Sequence, residues 1–281
     1  MAEGLRHSGS KETLLVEVDD IKIELIQRGT GRPIVFLHPA IGLDPELPVL
    51  GRLAELGSLY APSHPGFGES ELPRHFNTVD DIAYLYLDLF EQFDIRDAVL
   101  VGVSFGAWIA AEIAIKSTER ISHIVMADPV GIKVSRRDTR DITDMFVLSR
   151  EEFDQLAYAD TKNAHDMNEL SNAEIREYAR NWEAAALFGW LPYMHDPKLR
   201  QRLHRIRVPS LFMWGDADRV VSRDYVEAFS AMLPNSQVTV IAGAGHYPHI
   251  EKPEVFSDAI ARFVSSSANA GGTTTSAILL P

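Results

Sequence analysis

A short apolar run, AVLVGV at residues 98–103, passes without a linker into a longer apolar run that begins at Ser104, SFGAWIAAEIAIKS. The first run is short and continuously apolar, as in a strand of a parallel sheet that is covered on both faces. The second run is rich in alanine, which favours a helix. A buried strand that leads directly into a buried helix is typical of α/β folds.

The order of the other runs agrees with this class. Alternating runs at residues 14–18 and 21–26 predict an antiparallel hairpin. Beyond it, short apolar runs that predict strands alternate with helical patterns, such as the one that starts with Thr78 as N-cap. We therefore predict an α/β fold with a mostly parallel central sheet, helices on both faces and an inserted helical cap.

The insertion is predicted where the alternation of strands and helices stops. From residue 132 to residue 205 the sequence is helical in character and rich in charged and aromatic residues. The predicted organisation is a first part of the α/β core at 1–131, with 1–12 flexible, a helical cap at 132–205 and a second part of the core at 206–267. The small polar residues of 268–281 predict a disordered tail.

Charge and composition exclude several classes of function. The net charge of −13 disfavours nucleic acids and anionic membranes as partners. Cysteine is absent, which excludes thiolate catalysis and cysteine-ligated zinc. No signal peptide or membrane-spanning run is evident, so the expectation is a cytoplasmic protein that acts on a small molecule. A homodimer is compatible with such a chain.

Ser104 is the first candidate for chemistry. Gly102 and Gly106 flank it in a Gly-x-Ser-x-Gly pattern, which permits a tight turn that pushes the hydroxyl out at the end of the sheet. The N–H groups that open the following helix favour a developing negative charge. These features suit an acyl-transfer nucleophile, although a serine that only caps the helix would have the same sequence.

A serine nucleophile needs a base and an acid that orients the base. Asp216 and Asp218 follow one later strand, and His246 follows the next in a glycine-rich loop. Asp128, after the strand that follows the Ser104 helix, is a rival acid, and His249 is a competing histidine.

Several motifs occur in an order that resembles the α/β-hydrolase superfamily, in its capped serine-hydrolase form. They are LHPAIG, SHPGFGES, GVSFGA, MWGDADRVV and GAGHYPHIEKP, and the resemblance covers about residues 14–264. It implies Ser104 as nucleophile, His246 as general base and Asp218 as acid, since the family pattern is Gly-x-x-Asp after this strand. Asp216 then becomes a turn residue and His249 a structural one.

The resemblance also implies an oxyanion hole made of the backbone N–H groups of Ala40 and Phe105. The family usually has His-Gly-x where this chain has His38, Pro39 and Ala40. Proline lacks an N–H, but the expected donor is the residue after it, so the hole should survive with a stiffer loop. The side chain of His38 is expected either to brace this loop or to face substrate.

A serine nucleophile disfavours dehalogenase and epoxide hydrolase activity, because relatives with those activities have Asp in place of Ser104. We expect a carboxylesterase for small or aromatic esters. The alternative is a C–C bond hydrolase of a dienoic diketone, with Arg180 as a candidate cation for its carboxylate; members of that group often have Trp where this chain has Tyr247. Lactone, amide or perhydrolase chemistry and a non-catalytic binding protein are further alternatives.

Neither a cofactor nor a metal is expected, because the histidines lack paired ligand spacing. Apolar and aromatic residues should line the substrate pocket, although several of them could equally form core. The candidates for this pocket are His38, Trp108, Met145, Trp182, Phe188, Trp190, Tyr193 and Tyr247.

Overall fold

The computed structural model describes residues 12–136 and 138–270. The predicted flexible start therefore lies outside the described residues except for Glu12, which begins a strand, and the predicted tail lies outside them from residue 271. Eight strands form one sheet. They are β1 Glu12–Val18, β2 Ile21–Arg28, β3 Pro33–Leu37, β4 Ser58–Pro62, β5 Ala98–Val103, β6 Ile121–Ala127, β7 Ser210–Gly215 and β8 Ser236–Ile241.

The sheet has the order β1-β2-β4-β3-β5-β6-β7-β8. The pairs β1/β2 and β2/β4 are antiparallel, and every pair from β4/β3 to β7/β8 is parallel. This is the predicted arrangement of a hairpin followed by a parallel sheet. Because β5 and β6 are parallel neighbours, their carboxyl ends lie side by side at the same edge of the sheet.

Helices cover both faces of the sheet, which confirms the predicted fold class. They are α1 Pro48–Leu56, α2 Val79–Gln92, α3 Phe105–Lys116, α4 Arg150–Ala157, α5 Asn172–Gly189, α6 Arg223–Ser230, α7 Pro248–Glu251 and α8 Pro253–Ala270. Apolar residues of α1 and α8 pack with Val99 and Val101 of β5, whereas those of α2, α3 and α6 pack with Leu100. The period-2 alternation of a strand thus supplies both cores.

Thr78 begins α2 as the sequence predicts. Its hydroxyl accepts a hydrogen bond from the Asp81 N–H, and the Asp81 carboxylate accepts one from the Thr78 N–H at 2.9 Å. This reciprocal pair satisfies two backbone donors that the first turn of a helix leaves open. The same arrangement begins α4 at Ser149 and α5 at Ser171.

The chain between β6 and β7 contributes α4, α5 and three short 3-10 turns, and its described residues add no strand to the sheet. Its aromatic residues pack mainly on one another. Phe146 lies at the centre of this cluster, with ring centroids 5.4 Å from Trp182, 5.3 Å from Trp190 and 5.9 Å from Tyr193. This aromatic cluster packs against the apolar core of the sheet, and the division into a cap at 132–205 stays a prediction.

At the carboxyl end of the chain, α8 continues to Ala270, beyond the predicted start of the tail. Within the part of the chain that the structure describes, no helix combines the length and the apolar character needed to cross a bilayer.

Candidate active site

Ser104 lies at the turn between β5 and α3 in an unusual backbone conformation. Its φ is 52° and its ψ is −111°, a region in which residues with a side chain are rare. Such a conformation costs about 1–3 kcal/mol and persists only where the surroundings enforce it. The Ser104 N–H donates to Ala127 O at 2.9 Å, and Ser104 O accepts from Ala107 N at 3.0 Å. The strained turn is therefore held by both the sheet and the helix.

The two glycines beside this serine are required by close backbone contacts. A Cβ at Gly102 would overlap Gly106 O, and a Cβ at Gly106 would overlap Leu37 O and lie 2.7 Å from His38 O. Neither glycine is placed in the left-handed region of φ. Lack of space explains both glycines: α3 begins directly against β5 and against the loop that follows β3.

His246 connects Ser104 to Asp218. Its Nε2 lies 2.8 Å from Ser104 Oγ, and its Nδ1 lies 2.8 Å from Asp218 Oδ2. All three side chains are buried, with Ser104 and Asp218 each 6% exposed and His246 2% exposed. With Nδ1–H donating to the carboxylate, Nε2 is the acceptor for the serine proton.

Short loops hold Asp218 and His246 in place. The Asp218 Oδ1 accepts backbone N–H bonds from Val220 at 2.6 Å and Val221 at 3.2 Å. The His246 N–H donates to Ala157 O at 2.6 Å, at the carboxyl end of α4. The segment between β6 and β7 thus positions the histidine directly.

Asp128 does not take the place of the acid beside His246. Its Oδ1 accepts from the Gly215 N–H at 3.0 Å, and its side chain is fully buried. Burial and the like charge of Asp218 raise the pKa of Asp128 well above its usual range. Asp216 is bonded elsewhere, to the Gly243 N–H at 2.7 Å, as the expected turn residue would be.

The loop after β3 carries Ala40 and is braced by two stacked histidines. The rings of His38 and His64 lie 3.7 Å apart. His38 Nδ1 lies 2.7 Å from Pro39 O, and its Nε2 accepts from the His64 N–H at 2.9 Å. Both ring nitrogens of His38 are therefore occupied within the protein, which corresponds to the loop-bracing alternative rather than to a pocket residue.

The two predicted oxyanion donors flank the turn at Ser104. Phe105 is the first residue of α3, so the helix itself offers its N–H no partner. Ala40 is 4% exposed, in the loop whose start packs on Gly106. His64 was not identified from the sequence, because no spacing marks a histidine that acts through a stacked ring.

The other pocket candidates fall into three groups. Trp108, Met145, Phe188 and Tyr247 are buried, Trp182 and Tyr193 are partly buried, and Trp190 is 56% exposed. Tyr247 contacts the His246 ring at a centroid distance of 5.1 Å, and Phe188 contacts the Phe105 ring at 6.4 Å. Trp108 lies under Gly131, where a Cβ would lie 2.6 Å from its Cγ, and is therefore part of the core.

Two residues of α5 join the inserted segment to the core. Asn181 was not identified from the sequence, and Arg180 was considered there only as a candidate cation for a substrate carboxylate. Asn181 is buried, its Oδ1 accepts from the Gly68 N–H at 2.9 Å, and a Cβ at Gly42 would overlap its Nδ2. The Arg180 guanidinium donates to Ser70 O. A buried asparagine in an otherwise amphipathic helix was the available signal for such a contact.

A cleft of about 320 Å³ lies between α5 and the loop after β3. Its charged lining includes the carboxylates of Asp44, Glu174 and Glu177. Burial and the neighbouring carboxylates, Glu24 first among them, raise the pKa of Glu177. The mouth of this cleft is acidic.

His249 has no catalytic partner and its ring is fully buried. Neither ring nitrogen has a hydrogen-bond partner among the described residues, and the ring packs 5.8 Å from Phe36 and 6.2 Å from Phe256. Burial lowers the pKa of His249 to about 3. This environment agrees with the structural role expected from the sequence.

His249 should make the fold sensitive to acid. Because its pKa falls from 6.5 to about 3 on folding, the unfolded chain binds more protons between these values. The contribution of His249 to the free energy of unfolding is therefore complete above pH 6.5. We expect it to fall by about 1.4 kcal/mol for each pH unit below 6.5. Urea unfolding at pH 7.5, 5.5 and 4.5 measures this effect. Between pH 7.5 and pH 4.5, His249→Leu should lose less free energy of unfolding than wild type does. As a control, His204→Leu changes an exposed histidine and should lose as much free energy of unfolding as wild type. If His249→Leu kept the wild-type dependence of this free energy on pH, His249 would not be the source of the acid sensitivity.

Among the described residues, Asp128, Asp218 and His246 are the side chains close enough to hold a metal ion together, with their ligand-type atoms within 4.8 Å of one another. The His246 Nδ1 that would bind an ion already faces Asp218 at 2.8 Å. These three side chains fit a hydrogen-bonded network better than a metal site.

Comparison with known proteins places the chain among hydrolases. The model of a family described as the alpha/beta hydrolase family matches residues 34–259. An uncharacterized hydrolase of Bacillus subtilis, YugF, is 26% identical over 248 residues, which cover 82% of this chain and 87% of that protein. A pimeloyl-[acyl-carrier protein] methyl ester esterase of Yersinia enterocolitica is 25% identical over 233 residues, or 78% and 87% of the two chains.

Solved structures share the fold. A meta-cleavage product hydrolase of Pseudomonas fluorescens superposes with a TM-score of 0.74 at 18% identity, covering 90% of this chain and 98% of that one. At this identity the similarity concerns the fold.

Proposed function

Since this chain belongs to the alpha/beta hydrolase family, we propose that it is a serine hydrolase, of the carboxylesterase type, that cleaves small or aromatic carboxylic esters. The proposal rests on the two hydrogen bonds of the His246 ring. Its Nε2 lies 2.8 Å from Ser104 Oγ, and its Nδ1 lies 2.8 Å from Asp218 Oδ2. Nucleophile, base and orienting acid are in hydrogen-bond contact, which is the geometry that acyl transfer requires.

The proposed reaction has two halves. Ser104 Oγ attacks the ester carbonyl while His246 Nε2 takes the hydroxyl proton, and His246 then returns this proton to the departing alcohol. The acyl group remains on Ser104. Water attacks this acyl-enzyme and gives a proton to His246, after which the acid leaves and Ser104 regains its proton.

The backbone N–H groups of Ala40 and Phe105 are the proposed donors to the oxyanion that forms in each half. Support comes from the position of Phe105 at the start of α3 and from the packing of the Ala40 loop on Gly106. Each such donor is worth about 3–4 kcal/mol when it is aimed at the developing charge. The stacked pair His38 and His64 would keep the Ala40 loop rigid.

The surroundings of Ser104 support a compact substrate. Ser104 is 6% exposed, and Phe188 and Tyr247 lie beside Phe105 and His246. We propose the segment 132–205 as the cap that encloses the substrate, with Asn181 fastening it to the core. Small acyl and aromatic groups fit such an enclosed, mostly apolar site better than long chains do.

C–C bond hydrolysis of a dienoic diketone is the alternative on the same triad. That substrate carries a carboxylate, and the candidate cation Arg180 donates instead to Ser70 O. The hydrogen bond of Arg180 to Ser70 O therefore favours a neutral ester.

The deciding experiment is a series of p-nitrophenyl esters of graded acyl length, assayed beside a ring-fission dienoate. We expect turnover that is fastest for short or aromatic acyl groups, and no bleaching of the dienoate. Bleaching of the dienoate without ester cleavage would establish the alternative. Tight binding of a ligand without any turnover would indicate a non-catalytic relative, and hydrolysis of lactones or amides in preference to esters would reassign the substrate.

A further inference from the structure

Asp128 is a buried carboxyl group that the mechanism above does not use. It follows β6 directly, its φ is 44°, and its N–H donates to Met213 O at 2.9 Å. Its Oδ1 accepts from the Gly215 N–H, three residues before Asp218. The backbone of β6 and β7 thus fixes the side chain of Asp128 next to the loop that presents Asp218.

The other oxygen of Asp128 lacks a donor. Asp128 Oδ2 is buried and accepts no hydrogen bond from any described residue. A carboxylate oxygen of Asp128, a carboxylate oxygen of Asp218 and a ring nitrogen of His246 all lie within 4.8 Å of one another. A carboxylate oxygen that faces a second carboxylate can form a hydrogen bond with it only when one of the two carries a proton.

The charges that face this position favour a proton on Asp128. Asp218 from the loop after β7 and Glu251 from α7 are acidic, while Ser104 is neutral. His246, after β8, is paired with Asp218. Within residues 12–136 and 138–270, no lysine or arginine forms an ion pair with Asp128. Two buried like charges without a cation cannot both persist, so one of the acids should be neutral.

The hydrogen bonds decide which of the two acids is neutral. Asp218 accepts from two backbone N–H groups at Oδ1 and from His246 at Oδ2, so both of its oxygens act as acceptors. Among the described residues, Asp128 accepts from one N–H group, that of Gly215.

We propose that Asp128 is a positioning residue that carries a proton at neutral pH and donates a hydrogen bond to the Asp218 carboxylate. Its effect on the reaction rests on the proposed function, because it acts through Asp218 and His246 and does not touch substrate. The proton of Asp128 leaves a single negative charge behind His246. It also gives Asp218 a further fixed donor, and so holds the acid in the orientation that aligns His246 with Ser104.

Infrared spectroscopy tests the proton independently of activity. The difference spectrum of wild type minus Asp128→Asn at pH 7 should contain the C=O stretching band of a protonated carboxylic acid. Asparagine has the same shape and a neutral N–H donor, so this variant should fold. Absence of the band would overturn the proposal even if the esterase function holds, and its presence would support the proton even if no ester is turned over.

Kinetics test the positioning role. We expect Asp128→Asn to retain kcat within about 3-fold, with the acidic limb of its pH–rate profile unmoved, because it replaces one neutral donor by another. Asp128→Ala has no donor and should lower kcat about 10- to 100-fold with little change in KM. A shift of the acidic limb in Asp128→Asn would show that Asp128 is ionised. Equal losses in both variants would show that a neutral donor of the same shape cannot replace the carboxyl group, and would contradict the proposal.

Discussion

Ser104→Ala is expected to lower kcat/KM for p-nitrophenyl esters by at least about 10⁴-fold, because the chain then lacks the atom that becomes acylated. His246 and Asp218 stay in place but have no hydroxyl to activate. Residual turnover should come from the oxyanion donors and substrate binding alone. Initial rates over several enzyme concentrations, on protein with unchanged circular dichroism, measure the loss.

The control is Ser265→Ala, which removes an exposed hydroxyl on α8 whose partner among the described residues is Ala261 O. Its kcat/KM should equal that of wild type within error. If Ser104→Ala retained more than a few per cent of wild-type turnover, another nucleophile would be at work and the proposed mechanism would be wrong.

Gly106→Ala should lower both the stability and the activity of the protein. The new Cβ would overlap Leu37 O and lie 2.7 Å from His38 O, and both are backbone atoms that cannot rotate away. We expect a loss of about 1–3 kcal/mol in the free energy of unfolding, toward the upper end because the clash is with backbone. The loop with Ala40 must move, so kcat should also fall by about 10²-fold or more.

Gly51→Ala is the matched control for this change. Gly51 is exposed in α1, and a Cβ there meets nothing within 4 Å. Alanine should raise the stability of that helix by about 0.5–1 kcal/mol and leave kcat unchanged. Urea unfolding and ester kinetics of both variants give the comparison. Equal stability and activity in the two would mean that α3 does not begin as closely against β3 as described.

The fold and the site differ in how far sequence could predict them. The parallel strands and the Thr78 helix start were predictable because apolar periodicity and capping are local signals, and the structure confirms them. The order Ser104, Asp218 and His246 depended on motifs that each follow a strand. Carboxyl ends of neighbouring parallel strands meet at one edge, so positions after strands converge there.

The aromatic residues of the insertion show the limit of this reasoning. Composition marked Trp182, Trp190 and Phe188 alike as pocket candidates, yet Trp190 is 56% exposed and Phe188 6%. Trp182 and Trp190 pack on Phe146, and Phe188 reaches Phe105. Which face each ring presents depends on how α5 lies on the core, and no local pattern encodes that.

Sequence by itself determined the α/β class and the chemical types at the site, because strand and helix periods and the strand-to-helix turn at Ser104 are properties of adjacent residues. Only the tertiary structure decided between Asp218 and Asp128 as the partner of His246, stacked His64 on His38, and set Asn181 between Gly42 and Gly68. These outcomes depend on distances between residues far apart in the chain. Hydrogen bonds and carboxylate charges act over a few ångströms, so they exist only after the sheet has brought those residues together.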